Sequence, residues 1–325
     1  MICSRLSSRT CSTEPLLSNV QEQIPNVAMS SAPPTKIDHS DYWNPNIISF
    51  KTSARLHLQH FLVQNTLGYL LDQEIEKSIT TSLHLRIADL GCGNGVWLTE
   101  LSSEFLRKGI SAQLDGYDIN PVNFPHPAHL PQSVSLKKLD ILREALPSDL
   151  LGTYDIVHVQ GFTSLVVNSN VTPLLSAVLA FLKPGGFLQW VEVPTDDLVV
   201  ESPSPATSKT ACDKIIQCLK GIAQAQGIVG DWVASLDQCL LTHSFDSVRM
   251  YIKEKRQQDL KAWTEDYLMV LEELAMFFPS RERELQAPMT REAWEELFSE
   301  AVNETLQGVV VHQRKINIAV GRKPI

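Results

Sequence analysis

A chain of 325 residues has room for two small domains or one large domain with additions. Its 43% hydrophobic and 20% charged residues exclude wholesale disorder, its 15 glycines and 18 prolines exclude collagen-like and low-complexity classes, and no apolar run reaches the ~20 residues of a membrane span. A net charge of -9 and an isoelectric point near 5.5 argue against nucleic acid as the main partner, which needs a basic surface.

Residues 1–38 are rich in Ser, Thr, Pro and Gln and read as a disordered tail. Residues 1–13 carry Arg5 and Arg9 and no acid, a composition shared with mitochondrial transit peptides. The amphipathic pattern there is poor, and the apolar core of a secretion signal is missing. A chain starting at His39 is therefore expected to melt cooperatively near the full-length temperature; a large drop would make the tail structural. Cys3, Cys11, Cys92, Cys212, Cys218 and Cys239 form no Cys-x-x-Cys pair, which disfavours a zinc knuckle or redox dithiol and points to a reducing, cytoplasmic setting.

Order is expected from about Asp41, Tyr42 and Trp43, opening a helical cap over residues 39–80. Leu58, Phe61, Leu62, Leu67, Leu70 and Leu71 have helical spacing, which predicts two helices within 53–79 and a break between Asn65 and Gly68. A core over 84–193 follows. Strands are predicted over 85–90, 113–119, 134–139, 154–160 and 187–193, with helices over 96–108 and 173–182; Lys183-Pro-Gly-Gly186 closes the second. Strands alternating with helices imply crossovers and a parallel sheet. Over 194–325 come a polar connection (194–210), helices over 211–226, 232–242 and 257–278, a strand over 246–253, a helix capped by Thr290, and a last strand over 309–321. Lys253, Lys255 and Arg256 read as a solvated face. Ile215, Ile216, Leu219 and Ile222 form an apolar stripe which, with Met269, Phe277 and Phe278, is expected to wall a substrate pocket beneath a helical lid.

Asp89-Leu-Gly-Cys-Gly-Asn-Gly95 joins the first strand to its helix. The glycines permit a tight turn and close ligand approach to a helix N-terminus. The spacing is Gly-x-Gly-x-Gly, not the Gly-x-Gly-x-x-Gly of dinucleotide folds, which disfavours a nicotinamide oxidoreductase. Asp89 suits an amino-acid ammonium. Asp118, ending the second strand, suits both ribose hydroxyls. Asp140, ending the third, suits an adenine amine, with Ile119 and Ile141 on either side of the ring. These three partners together describe S-adenosylmethionine. The expected cofactor set is Asp89, Gly91, Cys92, Gly93, Asp118, Ile119, Asp140, Ile141 and Gln160, with Tyr42, Trp43 and Arg55 closing over it. Cys92 is chiefly a packing residue.

The chain resembles class I S-adenosylmethionine-dependent methyltransferases, and among them those of fungal secondary metabolism. The resemblance rests on Ser53-Ala-Arg-Leu-His57, Ile87-Ala-Asp-Leu-Gly-Cys-Gly-Asn-Gly-Val-Trp97, Phe124-Pro125, Leu130-Pro131, Tyr154-Asp-Ile-Val-His-Val159 and Leu182-Lys-Pro-Gly-Gly-Phe-Leu-Gln-Trp-Val-Glu192. It spans about residues 41–324 and implies an α/β, Rossmann-like, seven-stranded, mostly parallel sheet in the order 3-2-1-4-5-7-6, with helical lid insertions. Cys92 and Asn94 stand where this group often carries Thr. An Asn/Asp-Pro-Pro-Tyr clamp is missing after the fourth strand, as are paired Asp and Asn metal ligands, so no metal is expected. The resemblance implies methylation of a small secondary metabolite on O, N or S, with no nucleic acid or membrane partner and at most a second copy of the chain. A methyltransferase-like regulator acting through protein partners is the alternative.

Methyl transfer needs a nucleophile in line with the S–CH3 bond and, for some acceptors, a general base. His57 and His60, one turn apart on the cap, and Glu192, closing the fifth strand, are the candidates; each also reads as an ordinary polar helix face or loop cap. His158, within a buried strand, reads as a hydrogen-bonded core residue, and His243 is a weaker candidate.

Overall fold

The computed structural model describes residues 50–79, 84–143, 145–282 and 289–325, all within one unit spanning 33–325. The expectations for the tail 1–38 and for Asp41, Tyr42 and Trp43 lie outside the described residues. Two helices come first, α1 (Phe50–Leu67) and α2 (Gln73–Ile79). The core follows as β1 (Leu85–Leu90), α3 (Val96–Lys108), β2 (Ala112–Asp118), β3 (Val134–Lys138), β4 (Tyr154–Gln160), α4 (Thr172–Phe181) and β5 (Leu182–Glu192). Next are β6 (Leu198–Glu201), α5 (Thr210–Ala225), α6 (Leu236–Thr242), β7 (Asp246–Glu254), α7 (Leu260–Leu274), α8 (Arg291–Leu306), β8 (Val310–Gln313) and β9 (Lys315–Arg322).

Among the described residues, seven strands form one sheet in the order β3-β2-β1-β4-β5-β9-β7, with β9 antiparallel to both neighbours. This is the class I order, β7 and β9 taking the sixth and seventh places. Alternation along the strands divides the core. Ile87, Ile156 and Val320 face α2 and α3, packing on Ile75, Trp97, Leu98 and Leu101. Leu90, Val157, Val159, Leu188 and Trp190 face the other way, onto α4 and α6. No described helix is long and apolar enough to cross a membrane.

The C-terminal part departs from the sequence reading in four places. The expected last strand is two strands: β8 pairs with β6 in a separate two-stranded sheet, and β9 joins the main sheet one residue later. β6 itself lies inside what reads as a polar connection, because Leu198 is buried and Val199 and Val200 pair with His312 and Val311. Among the described residues, the apolar stripe packs inward rather than facing a cavity. Cys212, Ile215 and Ile216 pack on Trp294, Ala301 and Val311 in a core of the lid's own, where Phe278 stacks on Trp294 at 4.8 Å. Phe278→Ala is therefore expected to cost about 2 kcal/mol of stability and leave cofactor affinity unchanged; calorimetry of unfolding and of binding checks both. Finally, Lys255 is buried, with Nζ 3.3 Å from the centre of the Trp263 ring and 3.2 Å from Gln313 Oε1, so only its neighbours Lys253 and Arg256 are exposed.

The cap and core boundaries shift less. The helix break falls at 68–72, after Leu67, where Gly68 takes φ +82°. β5 begins at Leu182, which pairs with Tyr154 across a bulge, so the Pro-Gly-Gly segment lies within the strand. Thr290 caps α8 as expected, its hydroxyl accepting from the Ala293 N–H at 3.3 Å.

Candidate functional site

The turn after β1 is built on Gly91. Its φ is +73°, its N–H donates to the Tyr117 carbonyl at 2.7 Å, and a Cβ there would lie 2.7 Å from the Phe162 ring. Only glycine satisfies all three. Gly93 N–H donates to Asp118 Oδ2 at 2.9 Å and Asn120 N–H to Asp118 Oδ1 at 2.8 Å, so the glycine turn and the end of β2 form one unit. Burial pushes the Asp118 carboxyl up to about 6, against these two donors. Ile119 beside it is 40% exposed, an apolar surface next to an acid. Ile141 instead packs into the α4-side core, so the two isoleucines do not share one open surface. Asp140 Oδ1 accepts from the Leu142 and Arg143 N–H groups at 3.0 and 3.2 Å, closing the turn after β3. Cys92 is buried, and burial beside Asp89 and Asp118 holds its thiol well above the usual range, as befits a packing residue.

Asp89, His158 and Gln189 are register neighbours on β1, β4 and β5 and make a polar row across the face covered by the cap. Asp89 Oδ1 lies 2.8 Å from His158 Nδ1, and the Trp97 ring stacks on the imidazole at 3.9 Å with planes 6° apart. Gln189 accepts from the Asp72 N–H at 2.7 Å and donates to the Leu70 carbonyl at 2.9 Å, anchoring the cap's helix break to the sheet. A narrow cavity over this row is lined by His60, Gln64, Trp97, His158, Gln160 and Gln189. The sequence hides this row, because its members are far apart in the chain and only the β1–β4 and β4–β5 pairings align them.

The three candidate bases separate. His60 is buried at the cavity, its Nε2 without a partner among the described residues; burial, then His158 and His57, lower its pKa to about 4, so it is neutral. His57 is exposed and accepts at Nδ1 from Asn94 Nδ2 at 2.7 Å, which sets α1 against the glycine turn. Glu192 is not beside the cleft. It is fully buried on the Trp190 side of the sheet and accepts from Phe162 N–H (2.7 Å), the Thr163 hydroxyl (2.7 Å), Trp190 Nε1–H (2.8 Å) and Thr163 N–H (3.3 Å). Its lone pairs serve the loop after β4, which corrects the catalytic reading. His243 bonds to Thr172 and to the Cys239 carbonyl, on the α4–α6 side of the sheet.

A second polar group, which the sequence reading missed, lies between α1 and α7. Asp266 is 1% exposed with both oxygens unpartnered among the described residues, near Arg55 and Lys255, which pull its carboxyl down while burial raises it to about 6. Arg55 thus faces α7 rather than the glycine turn. No cluster of three or more potential metal ligands occurs among the described residues.

The chain is similar in sequence to a methyltransferase of Penicillium sp., 31% identical over 46% of this chain and 52% of that protein. It is similar to an N-methyltransferase of Claviceps purpurea, 30% identical over 47% and 52%, and to one of Clonostachys rogersoniana, 28% identical over 48% and 51%. The chain thus spans about half the length of the curated relatives it matches. No family model matches it.

Proposed function

We propose that this chain, with the sheet order of class I methyltransferases and with fungal methyltransferases among its relatives, transfers the methyl group of S-adenosylmethionine to a small secondary metabolite in the cytoplasm. The observation that carries the reading is the joining of the glycine turn to Asp118. A carboxylate fixed at the end of β2, beside an exposed isoleucine, suits a ribose with an adenine on the apolar neighbour. Asp89, Gly91, Cys92, Gly93, Asp140 and Gln160 complete the proposed cofactor set, while Ile141 backs it from the α4-side core. The cofactor, when bound, supplies an electrophilic methyl group. The chain supplies position: the turn and Asp118 hold the nucleoside end, while Trp97, Gln160 and the cap exclude water from the transferring end. Nitrogen is the preferred acceptor, since two of the relatives are N-methyltransferases. Nucleic acid is disfavoured as a partner by the net charge of -9, and a homodimer is compatible with the reading.

The test has two parts. Calorimetry should show S-adenosylmethionine binding, and metabolite profiling of a strain lacking the gene should show loss of a product one methyl group heavier than what accumulates. Unchanged metabolites together with capture of transcription regulators would replace the enzyme by the regulator.

The Asp118 carboxyl also sets a pH dependence. Only the ionised group accepts from two ribose hydroxyls. With its pKa near 6, affinity should be flat above that pH and weaken about tenfold per unit below it, since binding then requires loss of a proton. Titrations from pH 5 to 8 check the sign; affinity that rises on acidification removes Asp118 from the ribose.

A further inference from the structure

We infer that His158, oriented by Asp89, takes the proton released when the acceptor is methylated. The inference rests on the methyltransferase reading above and names a residue within that site. Asp89 Oδ1 at 2.8 Å fixes Nδ1 as the protonated ring nitrogen, so Nε2 carries the lone pair. No partner for Nε2 occurs among the described residues, and the ring lines the cavity that His60 and Gln160 also line. A histidine that merely tied β1 to β4 would need the Asp89 contact and nothing more. This one also lies flat against Trp97, at 3.9 Å and 6°. The Trp97 face and the Asp89 carboxylate behind Nδ1 together hold the ring in one orientation.

The groups around the cavity complete the arrangement. Gln160 lies two residues beyond His158 on the same face of β4, one step closer to the strand ends where the glycine turn opens. Gln189 on the next strand is occupied by Leu70 and Asp72, so it does not compete for the His158 ring. His60, the other imidazole at the cavity, is neutral and adds no opposing charge. In the step, the S–CH3 bond breaks as the methyl group bonds to the acceptor nitrogen or oxygen. S-adenosylhomocysteine departs, and the acceptor's proton passes to His158 Nε2.

The substrate is unidentified, so the test uses two cofactor analogues: S-adenosylhomocysteine, and sinefungin, which carries an amine-bearing carbon in place of the methylsulfonium. That amine occupies the path of the methyl group and should donate to His158 Nε2. His158→Asn is the informative variant, because its amide nitrogen can keep the Asp89 bond while nothing remains at Nε2. The expected result is a fall of about tenfold in sinefungin affinity relative to S-adenosylhomocysteine, whose own affinity stays within about twofold. An unchanged ratio in the folded variant overturns the role of His158 and leaves the methyltransferase reading standing. Failure of the wild-type chain to bind either analogue overturns that reading, and this inference with it. Should the variant not melt cooperatively, histidine-15N NMR of the wild-type chain decides. The Nε2 resonance of the Asp89-bonded ring should move with sinefungin and not with S-adenosylhomocysteine; identical responses overturn the inference.

Discussion

Glu192→Ala is expected to lose about 3–5 kcal/mol of folding stability, the largest effect of any single change considered. The carboxylate is fully buried and gathers four donors: two backbone N–H groups, a hydroxyl and an indole N–H. Truncation leaves the two backbone N–H groups and the indole N–H without their acceptor in a buried site, while the Thr163 hydroxyl keeps the Val193 carbonyl at 3.0 Å. It also releases the Gly161–Thr163 loop, whose Phe162 ring closes over Gly91. Chemical denaturation gives the loss directly; a change below about 1 kcal/mol would mean that water replaces the carboxylate. The wild-type protein carries a pH signature of the same group. Burial raises the Glu192 carboxyl from its usual value to about 7, against its four donors. The folded state therefore holds a proton that the unfolded state has released between about pH 4.5 and 7. The stabilisation linked to that proton is complete below about 4.5 and is lost as pH rises through 7. Glu192→Gln removes this dependence, so wild type and variant should converge or cross as pH climbs through that window.

Asp118→Ala should weaken S-adenosylmethionine at least a hundredfold while the protein stays folded. Two hydrogen bonds from ribose hydroxyls to a carboxylate are worth about 1.5–3 kcal/mol each. The same substitution removes the acceptors for Gly93 and Asn120, so the glycine turn loses its tie to β2 as well. Asp118→Asn separates the two contributions: its carbonyl oxygen can keep one backbone donor but cannot accept from both hydroxyls, and its loss should fall between wild type and alanine. Calorimetric affinity equal to wild type in a folded Asp118→Ala protein would dismiss the ribose assignment.

These two acids differ in how far the sequence betrays them. Asp118 is legible because it ends the strand that follows the glycine turn and its helix, where chain order and chemistry coincide. Glu192 occupies an equivalent strand end, and pattern alone places it at the cleft; which face it turns to depends on the phase of a strand that starts at Leu182 rather than Phe187. β1 and β4 are readable from their apolar runs because both are buried on both faces, whereas β3, at the sheet edge, ends in the exposed Lys137 and Lys138. His158 is readable as a core residue, but its pairing with Asp89, 69 positions away, exists only through the β1–β4 register. Lys255 shows the opposite failure. Three basic residues in a row of four suggest solvent, yet Trp263 arrives from α7 to cover one of them. The break between β8 and β9 falls in the polar stretch His312-Gln-Arg-Lys315, which lies between two apolar runs and is short enough to read as the middle of one strand.

That break has a mechanical meaning. The lid's small sheet runs through β8 into β9 with a single intervening residue, and β9 is clamped between β5 and β7 along most of its length. Leverage on the lid is therefore transmitted to the middle of the main sheet, with no slack segment at this junction to absorb it. Swinging the lid outward would have to unzip β9 from two partners at once. The amides of α5 and α8, which share the lid's core with β6 and β8, should accordingly exchange as slowly as those of the sheet. The N-terminal turns of α1, by contrast, carry polar contacts of another kind: Lys51 and Thr52 with Glu272 and Glu273, and Asn94 with the Ser53 carbonyl and His57. The small sheet thus ties the lid to the main sheet by strand pairing, whereas side chains tie α1 to α7.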